Sequence, residues 1–379
     1  MQLIEIPSFT PEMEMVDLVT DIQVKKDDLR TVRHVTAPVP SQLEAGQVLF
    51  RIDEYALTAN NITYAVFGDA MKYWHFFPAE EGWGRIPVWG FADVIASKAD
   101  GVDVGERFYG YFPMATHLVV DAVKVSPHGF FDGVAHRKEL SPVYNNYLRV
   151  SADKGYVAAR EAEQSLLRPL FTTSFLIDDF LADNAFFDAS SVVLSSASSK
   201  TSLGLAQVLS TRAGDRPRVI GLTSKGNAAF VQATGYYDDV VLYDAIDQID
   251  VAGNVAFVDM AGDGNVRSAI HHHFAERLIC SCAVGGTHWE QGGGAEGLPG
   301  ARPTLFFAPS QIEKRNKDWG AAELQAKIAT AWAGFLQSVD TWMKVERVKG
   351  VAAAEANYLR VLEGKTSPET GLIVSVHPE

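Results

Sequence analysis

Cysteine is nearly absent: Cys280 and Cys282 are the only two in 379 residues. Two thiols cannot supply a disulfide framework, so stability has to come from packing. Basic charge is in deficit, with 33 Lys and Arg against 47 Asp and Glu and a net charge of -14. That excess of negative charge repels a phosphate backbone and argues against nucleic acid as a partner. Long apolar runs are also missing. Charge, Gly or Pro interrupts every stretch before the roughly 18 residues of a membrane span, so no membrane insertion is expected. The first residues (MQLIEIPSFTPEMEMVDL) are acidic and lack the basic start of a signal peptide, which makes a cytoplasmic protein the expectation. What remains is ample apolar material. Hydrophobic residues make up 47% of the chain, enough for a full core, and the length fits two or three domains at roughly 150 residues each.

The two halves of the chain are patterned differently. Residues 1–150 read as irregular β. Strands are expected at 48–52, as a bent pair within 86–97, after a turn in 101–111, and at 116–125. Short strands punctuated by Gly suggest a small barrel. From about residue 165 the pattern changes. Residues 164–183 place Leu166, Leu167, Leu170, Phe171, Phe175, Leu176 and Phe180 at helical spacing. Strands at 191–196, 218–223, 239–243, 254–260 and 277–284 then alternate with helices at 201–212, 227–234 and 265–274, with a last strand at 304–308. This alternation predicts right-handed βαβ units and a doubly wound parallel sheet. Helical patterning returns after 318, followed by a short helix near 352–365 and a closing strand at 372–376. The Gly-rich stretch 285–300 reads as a binding loop or lid.

In such a sheet the ligand sits beyond the carboxyl ends of the strands. The loop after the first strand reads Ser195-Ser196-Ala197-Ser198-Ser199-Lys200-Thr201-Ser202 and opens a helix. Free amides and the positive end of the helix dipole would attract a pyrophosphate, with small side chains allowing close approach and Lys200 adding charge. The alternative is a serine-rich cap on an ordinary helix, since the loop is no G-x-G-x-x-G. The second strand ends Thr223-Ser224-Lys225-Gly226-Asn227. No acid stands there to accept from ribose hydroxyls, and hydroxyls with a lysine suit a ribose 2′-phosphate, so NADP(H) is the expected cofactor. An exposed turn with an incidental lysine is the other reading.

These segments, taken in order, resemble the medium-chain dehydrogenase/reductase superfamily, in its zinc-independent quinone/enoyl reductase branch. The resemblance rests on residues 46–69, which are similar to the strand leading into an L-N-P-x-D-like turn, and on 101–120, similar to a V-G-D-R-V-x-G segment. It continues through 218–244 and 254–286 to the closing GLIVSV at 371–376. Residues within 60–78 and 193–204 also resemble a subgroup known as DUF2855. The resemblance implies a Rossmann nucleotide-binding domain (165–338) and a GroES-like β-barrel catalytic domain built from 1–164 and 339–379. It implies NADP(H) in the cleft between them, with Ala197, Ser198, Ser199, Lys200, Thr201 and Ser202 at the pyrophosphate. Thr223, Ser224, Lys225 and Tyr243 would lie toward the 2′-phosphate, and Met260, Ala261, Val284 and Gly285 along the nicotinamide. A homodimer is implied by analogy, through the strand at 304–308. Glycines are missing at 199, 200 and 202, which departs from the family's phosphate loop.

Zinc-dependent relatives need Cys, His and acidic ligands that this chain lacks in suitable spacing, so no metal is expected. Cys280 and Cys282 read as buried strand residues. His271, His272 and His273 read as a helix surface, because consecutive helical side chains diverge by about 100°. Without zinc, side chains must polarise the substrate. Candidates in 58–75 are Tyr64 first and Tyr73 second, with Asn61 and Thr58 at the family's Asp and Asn positions, and Asn60 and His75 beside them. Each tyrosine has the alternative role of core filler with a satisfied hydroxyl. The aromatic run 73–78 with Trp83 and Trp89 is either a substrate wall or packing beneath a loop. His288 and Trp289 could face the same cleft, with the glycines at 292–294 as a hinge. The expected function is reduction of a conjugated C=C or C=O bond in a small apolar or aromatic substrate. Ketone or aldehyde reduction, and a non-catalytic NADP(H)-binding redox sensor, are the alternatives.

Overall fold

The computed structural model describes residues 17–153, 155–285 and 297–378. Its first part contains β1 (Leu18–Lys25), β2 (Asp28–Pro38), β3 (Gln47–Leu57), α1 (Ala59–Val66), β4 (Trp83–Gly84) and β5 (Pro87–Ser97). It continues with β6 (Arg107–Pro113), β7 (His117–Ser126), β8 (Gly129–Asp132) and β9 (Asn146–Arg149). Strands β3, β5, β6, β9, β8 and β7 follow one another in antiparallel pairs, and β7 pairs back onto β3. This closes a six-stranded barrel and leaves none of its strands with a free edge. Phe50 sits at its centre, with ring centroids 5.6 Å from Phe108, 5.7 Å from Phe112 and 5.2 Å from Tyr147.

The second part begins with α2 (Glu161–Asp183) and β10 (Ala189–Leu194). Then come α3 (Lys200–Ser210), β11 (Arg218–Thr223), α4 (Ala228–Thr234), β12 (Asp239–Leu242), β13 (Asn254–Asp259) and α5 (Gly264–Phe274). After β14 (Leu278–Ala283) and β15 (Thr304–Leu305), helices α6 (Ala308–Asp318) and α7 (Ala321–Val339) complete it. The sheet order is β12-β11-β10-β13-β14-β15, all parallel. Its buried strands carry apolar residues on both faces, as a doubly covered sheet requires. The order reverses between β10 and β13, which is where such sheets open a crevice.

The chain end returns to the barrel. β16 (Lys344–Lys349), α8 (Val351–Leu362) and β17 (Thr370–Ser375) follow α7, and β17 pairs antiparallel with β3. Helix α2 packs against α3, α6 and α7 and also reaches β3, β5 and β17, so it ties the two sheets together.

Several expectations are corrected here. The strand expected at 304–308 is only Thr304–Leu305, and α6 starts at Ala308. Pro309 cannot donate to a neighbouring strand but fits the first turn of a helix. The pair expected within 86–97 is the single strand β5, with β4 before it. The hairpin of β1 and β2 was not foreseen, although DIQV at 21–24 alternates. His271 is not on the surface: it is fully buried on the inner face of α5. Its Nδ1 donates to the Pro299 carbonyl (2.8 Å) and its Nε2 accepts from Ser281 Oγ (3.0 Å), which fixes a neutral tautomer. Burial pushes its pKa down. Cys280 and Cys282 are buried and unbridged.

Candidate active site

A cavity of about 1230 Å³ lies between the barrel, α2 and the carboxyl edge of the parallel sheet. Its size exceeds a single small-ligand pocket of roughly 300–1,000 Å³ and leaves room for a dinucleotide beside a substrate.

One wall is polar and begins where β10 ends. Buried Ser195 donates its hydroxyl to Asp259 Oδ1 (2.9 Å) and accepts from the Met260 amide (2.8 Å), binding the ends of β10 and β13 together. Ser196 adopts a left-handed backbone, φ 49°, where a glycine-rich loop would place glycine. Its amide donates to Tyr243 Oη at 3.0 Å. Tyr237 Oη donates to the Ala197 carbonyl at 2.8 Å, and the Ala197 amide donates to the Leu222 carbonyl at 2.9 Å. Gly221 makes room for this turn, since a Cβ there would stand 2.7 Å from Tyr237 and 2.9 Å from Ala197 Cβ. The bend is thus imposed by neighbours and not by glycines of its own.

Ser199 caps α3 by accepting from the Ser202 amide (3.3 Å). The amides of Ser198, Lys200 and Thr201 have no acceptor among the described residues, and all three residues border the cavity. Such amides, with the helix dipole behind them, form an anion site. Asn227 Nδ2 donates to Ser198 Oγ at 3.0 Å, and Ser224 lies beside it on the cavity rim. Thr223 is 1% exposed, borders the cavity, and its hydroxyl has no partner among the described residues.

The opposite wall is aromatic and comes from the barrel side. Tyr64 on α1 lies 4.6 Å from Tyr73 and 5.6 Å from Tyr111 between ring centroids. Trp89 Nε1 donates to Tyr64 Oη at 3.2 Å, so the Tyr64 proton is left for another acceptor. Tyr73 and Tyr144 hydroxyls meet at 3.3 Å. Burial pushes both the Tyr64 and Tyr73 phenols above their ordinary pKa, so both are protonated donors at neutral pH.

The cavity brings together most of the residues singled out in the sequence. Thr58, Asn60, Tyr64, Tyr73, Ser198, Ser199, Lys200, Thr201, Thr223, Ser224, Tyr243, Met260, Val284 and Gly285 all border it. Others stand elsewhere. Asn61 is buried and committed to local structure, because Oδ1 accepts from the Thr58 amide (2.7 Å) and Nδ2 donates to the Pro87 carbonyl (2.8 Å). Ala197, Ser202 and Ala261 are buried behind the wall. Lys225 is exposed and is not among the residues that line the cavity. The aromatic run divides: Tyr73 and Trp89 face the cavity, whereas Trp74, Phe76 and Phe77 are buried packing and His75 is exposed. His288, Trp289 and the glycines at 292–294 lie outside the described residues. Sequence reasoning missed Tyr144, Thr172 and Thr173, which also border the cavity, as does Asn227 at the end of the second-strand turn. Thr172 and Thr173 follow Pro169 on α2, and that proline was the available signal of a helix with a special role.

Comparison with known proteins supplies context. No curated protein sequence matches the chain. CurA from Vibrio vulnificus, solved in complex with NADPH, superposes with a TM-score of 0.63 at 14% identity, covering 95% of this chain and 100% of that one. A mutant enoyl thioester reductase from Candida tropicalis matches at 0.57 and 10% identity, over 94% and 99% of the two chains. The yhdH oxidoreductase from Salmonella enterica, solved with NADP, matches at 0.53 and 13%, over 94% and 99%. These likenesses establish the fold of the medium-chain dehydrogenases/reductases, a Rossmann domain beside a GroES-like barrel. A family profile described as a protein of unknown function, DUF2855, matches residues 55–367. With that match running over more than half its length, the chain belongs to the DUF2855 family.

Proposed function

We propose that this protein is an NADP(H)-dependent oxidoreductase that reduces a conjugated C=C or C=O bond of a small apolar or aromatic substrate. One observation carries the reading: a single cavity at the switch point of the parallel sheet has an anion-ready helix start on one wall and hydroxyl-bearing aromatic rings on the other. The structural relatives solved with NADPH or NADP support the cofactor class.

The residues present fit such a dinucleotide. The free amides of Ser198, Lys200 and Thr201 would hold its diphosphate. The unpartnered Thr223 hydroxyl, with Ser224 and Asn227, would take the adenosine ribose. Among the described residues, the strand-end residues that line the cavity there, Thr223, Ser224, Asn227 and Tyr243, include no carboxylate, which suits a 2′-phosphate. Met260, Val284 and Gly285 would line the nicotinamide. When bound, NADPH supplies the hydride.

The other tasks fall to the chain. Tyr64, oriented by Trp89, donates a hydrogen bond to the substrate oxygen and stabilises the charge that develops there. Its raised pKa keeps it a protonated hydrogen-bond donor, and solvent supplies the proton that completes the reduction. Tyr73 and Tyr144 hold the rings of that wall in place. We propose a zinc-independent reaction, in which the Tyr64 hydroxyl, oriented by Trp89, takes the polarising role.

The test has two stages. NADPH and NADH are titrated against the protein by fluorescence, and NADPH is expected to bind more tightly. Enones, quinones and aldehydes are then offered, with loss of NADPH absorbance as the readout. Failure to bind either nucleotide ends the proposal. Binding without turnover of any class leaves a nucleotide sensor in its place.

A further inference from the structure

Lys200 is the first residue of α3 and borders the cavity beside the free amides of the turn. Among the described residues its ammonium pairs with no carboxylate. Instead it crosses to the other domain and donates to the Thr370 carbonyl at 2.8 Å and the Pro368 carbonyl at 3.4 Å. Those carbonyls belong to the start of β17, which pairs with β3 just before α1. The segment 366–370 is therefore held to the nucleotide-binding wall by one cation.

A half-buried cation held only by carbonyl dipoles lacks a counter-ion. Charged groups on the neighbouring segments are paired with one another. Lys365 pairs with Glu363 at 2.7 Å and Lys344 with Glu369 at 3.2 Å on the neighbouring segment. On α2, Arg168 pairs with Asp153 at 2.7 Å. Arg30 of β2 borders the cavity as well, and the lining residues of α1 carry no charge. Burial alone acts on the Lys200 amine, and holds its pKa down to about 8. The unpartnered Thr223 hydroxyl on the same cavity independently marks this wall as built for a ligand.

We propose that Lys200 is an interdomain clamp: its ammonium takes the diphosphate of the dinucleotide as counter-ion while keeping its hold on the 368–370 carbonyls, so that cofactor binding fastens the two domains together. The inference rests on the cofactor reading given above. It also explains how a turn without glycines binds a diphosphate, since a charge stands in for the closer backbone approach that glycine permits.

The clamp has a protonic consequence. In the free protein part of the Lys200 population is neutral near pH 8. A diphosphate beside it favours the charged form, so its pKa rises on binding and a proton is taken up. Affinity then falls as pH rises through the free-protein value, by about tenfold between pH 7 and about pH 9. The phenol of Tyr243, on the same wall, is pushed upward by burial and does not titrate in this range.

The experiment is calorimetric titration of the full-length protein with NADPH at about pH 8.5, in two buffers of different ionisation enthalpy. Wild type is expected to take up about three-quarters of a proton. Lys200→Arg, charged throughout, is expected to bind with no uptake and with an affinity that is flat from pH 7 to 9. Lys200→Met is expected to bind about tenfold or more weakly, also without uptake. Hydrogen exchange reads the clamp itself: NADPH should slow exchange across 366–375 in wild type and not in Lys200→Met. Equal proton uptake by wild type and Lys200→Arg overturns the clamp, as does a flat wild-type affinity or unchanged exchange in 366–375 on binding. Each of those results leaves nucleotide binding intact, whereas absence of NADPH binding in wild type overturns the cofactor reading along with it.

Discussion

The two walls of the cavity are rigid for different reasons. The polar wall, from Ser195 to Thr201, is held by individually directed hydrogen bonds reaching β11, β13 and the tyrosines at 237 and 243. The aromatic wall is held by area: Tyr64, Tyr73, Tyr111, Tyr144 and Trp89 lean on one another at centroid distances of 4.6–6.3 Å. A directed network fails when one member is removed, because a buried partner is left unsatisfied. A packed cluster loses a fraction of its contacts and relaxes. In the proposed function, the wall offered to the cofactor is thus the brittle one, and the wall offered to the substrate is the forgiving one.

That contrast can be broken first at Asp259. Its carboxylate is 2% exposed, accepts from Ser195 Oγ, and pairs with Arg267 at 2.9 Å. Asp259→Ala is expected to cost about 3–5 kcal/mol, the usual range for removing one partner of a buried pair. A denaturant melt checks it, and a loss under about 1 kcal/mol would mean the polar wall is not a network. Gly221→Val comes next. Its side chain meets Tyr237 and Ala197, so a loss of about 1–3 kcal/mol is expected together with weaker NADPH binding. Unchanged binding would show that the turn tolerates displacement.

Tyr64→Phe tests the aromatic wall. It keeps the ring and removes the donor, so kcat should fall by about 10–100-fold while NADPH affinity stays within about twofold. An equal loss in both would place Tyr64 at the cofactor instead. Trp89→Phe removes the indole donor that orients Tyr64, and a fall in kcat of about three- to tenfold is expected at full stability. The smallest effect is assigned to Lys225→Glu. Lys225 is exposed beside Ser224, and a screened charge reversal there should weaken NADPH about three- to tenfold relative to NADH. An equal change for both nucleotides would remove Lys225 from the 2′-phosphate corner.

Much of the candidate site was legible because its residues follow strand ends. Ser198, Thr223, Tyr243, Met260 and Val284 each lie within a few residues of a carboxyl end that βαβ alternation locates, and the topology carries them to one edge. The capping of α1 by Asn61 was not legible, because a helix-capping amide and a catalytic amide look alike in one dimension. The turn after β11 did not reveal which of its side chains border the cavity: Ser224 and Asn227 do, and Lys225 is exposed outside that lining. Tyr144 and the 366–370 segment gave no signal, because they reach the cavity from a distant part of the chain.

The sequence by itself determined the two architectures: strand–helix alternation compelled a parallel sheet, and Gly-punctuated β segments compelled the barrel, since apolar periodicity dictates which faces must be buried. Tertiary structure decided the rest. Only packing could force Ser196 into a left-handed bend, swing Lys200 onto carbonyls of the other domain, and set the Trp89 indole on Tyr64. Those contacts join residues that are 25 to 170 positions apart, and no local propensity encodes a partner at that distance.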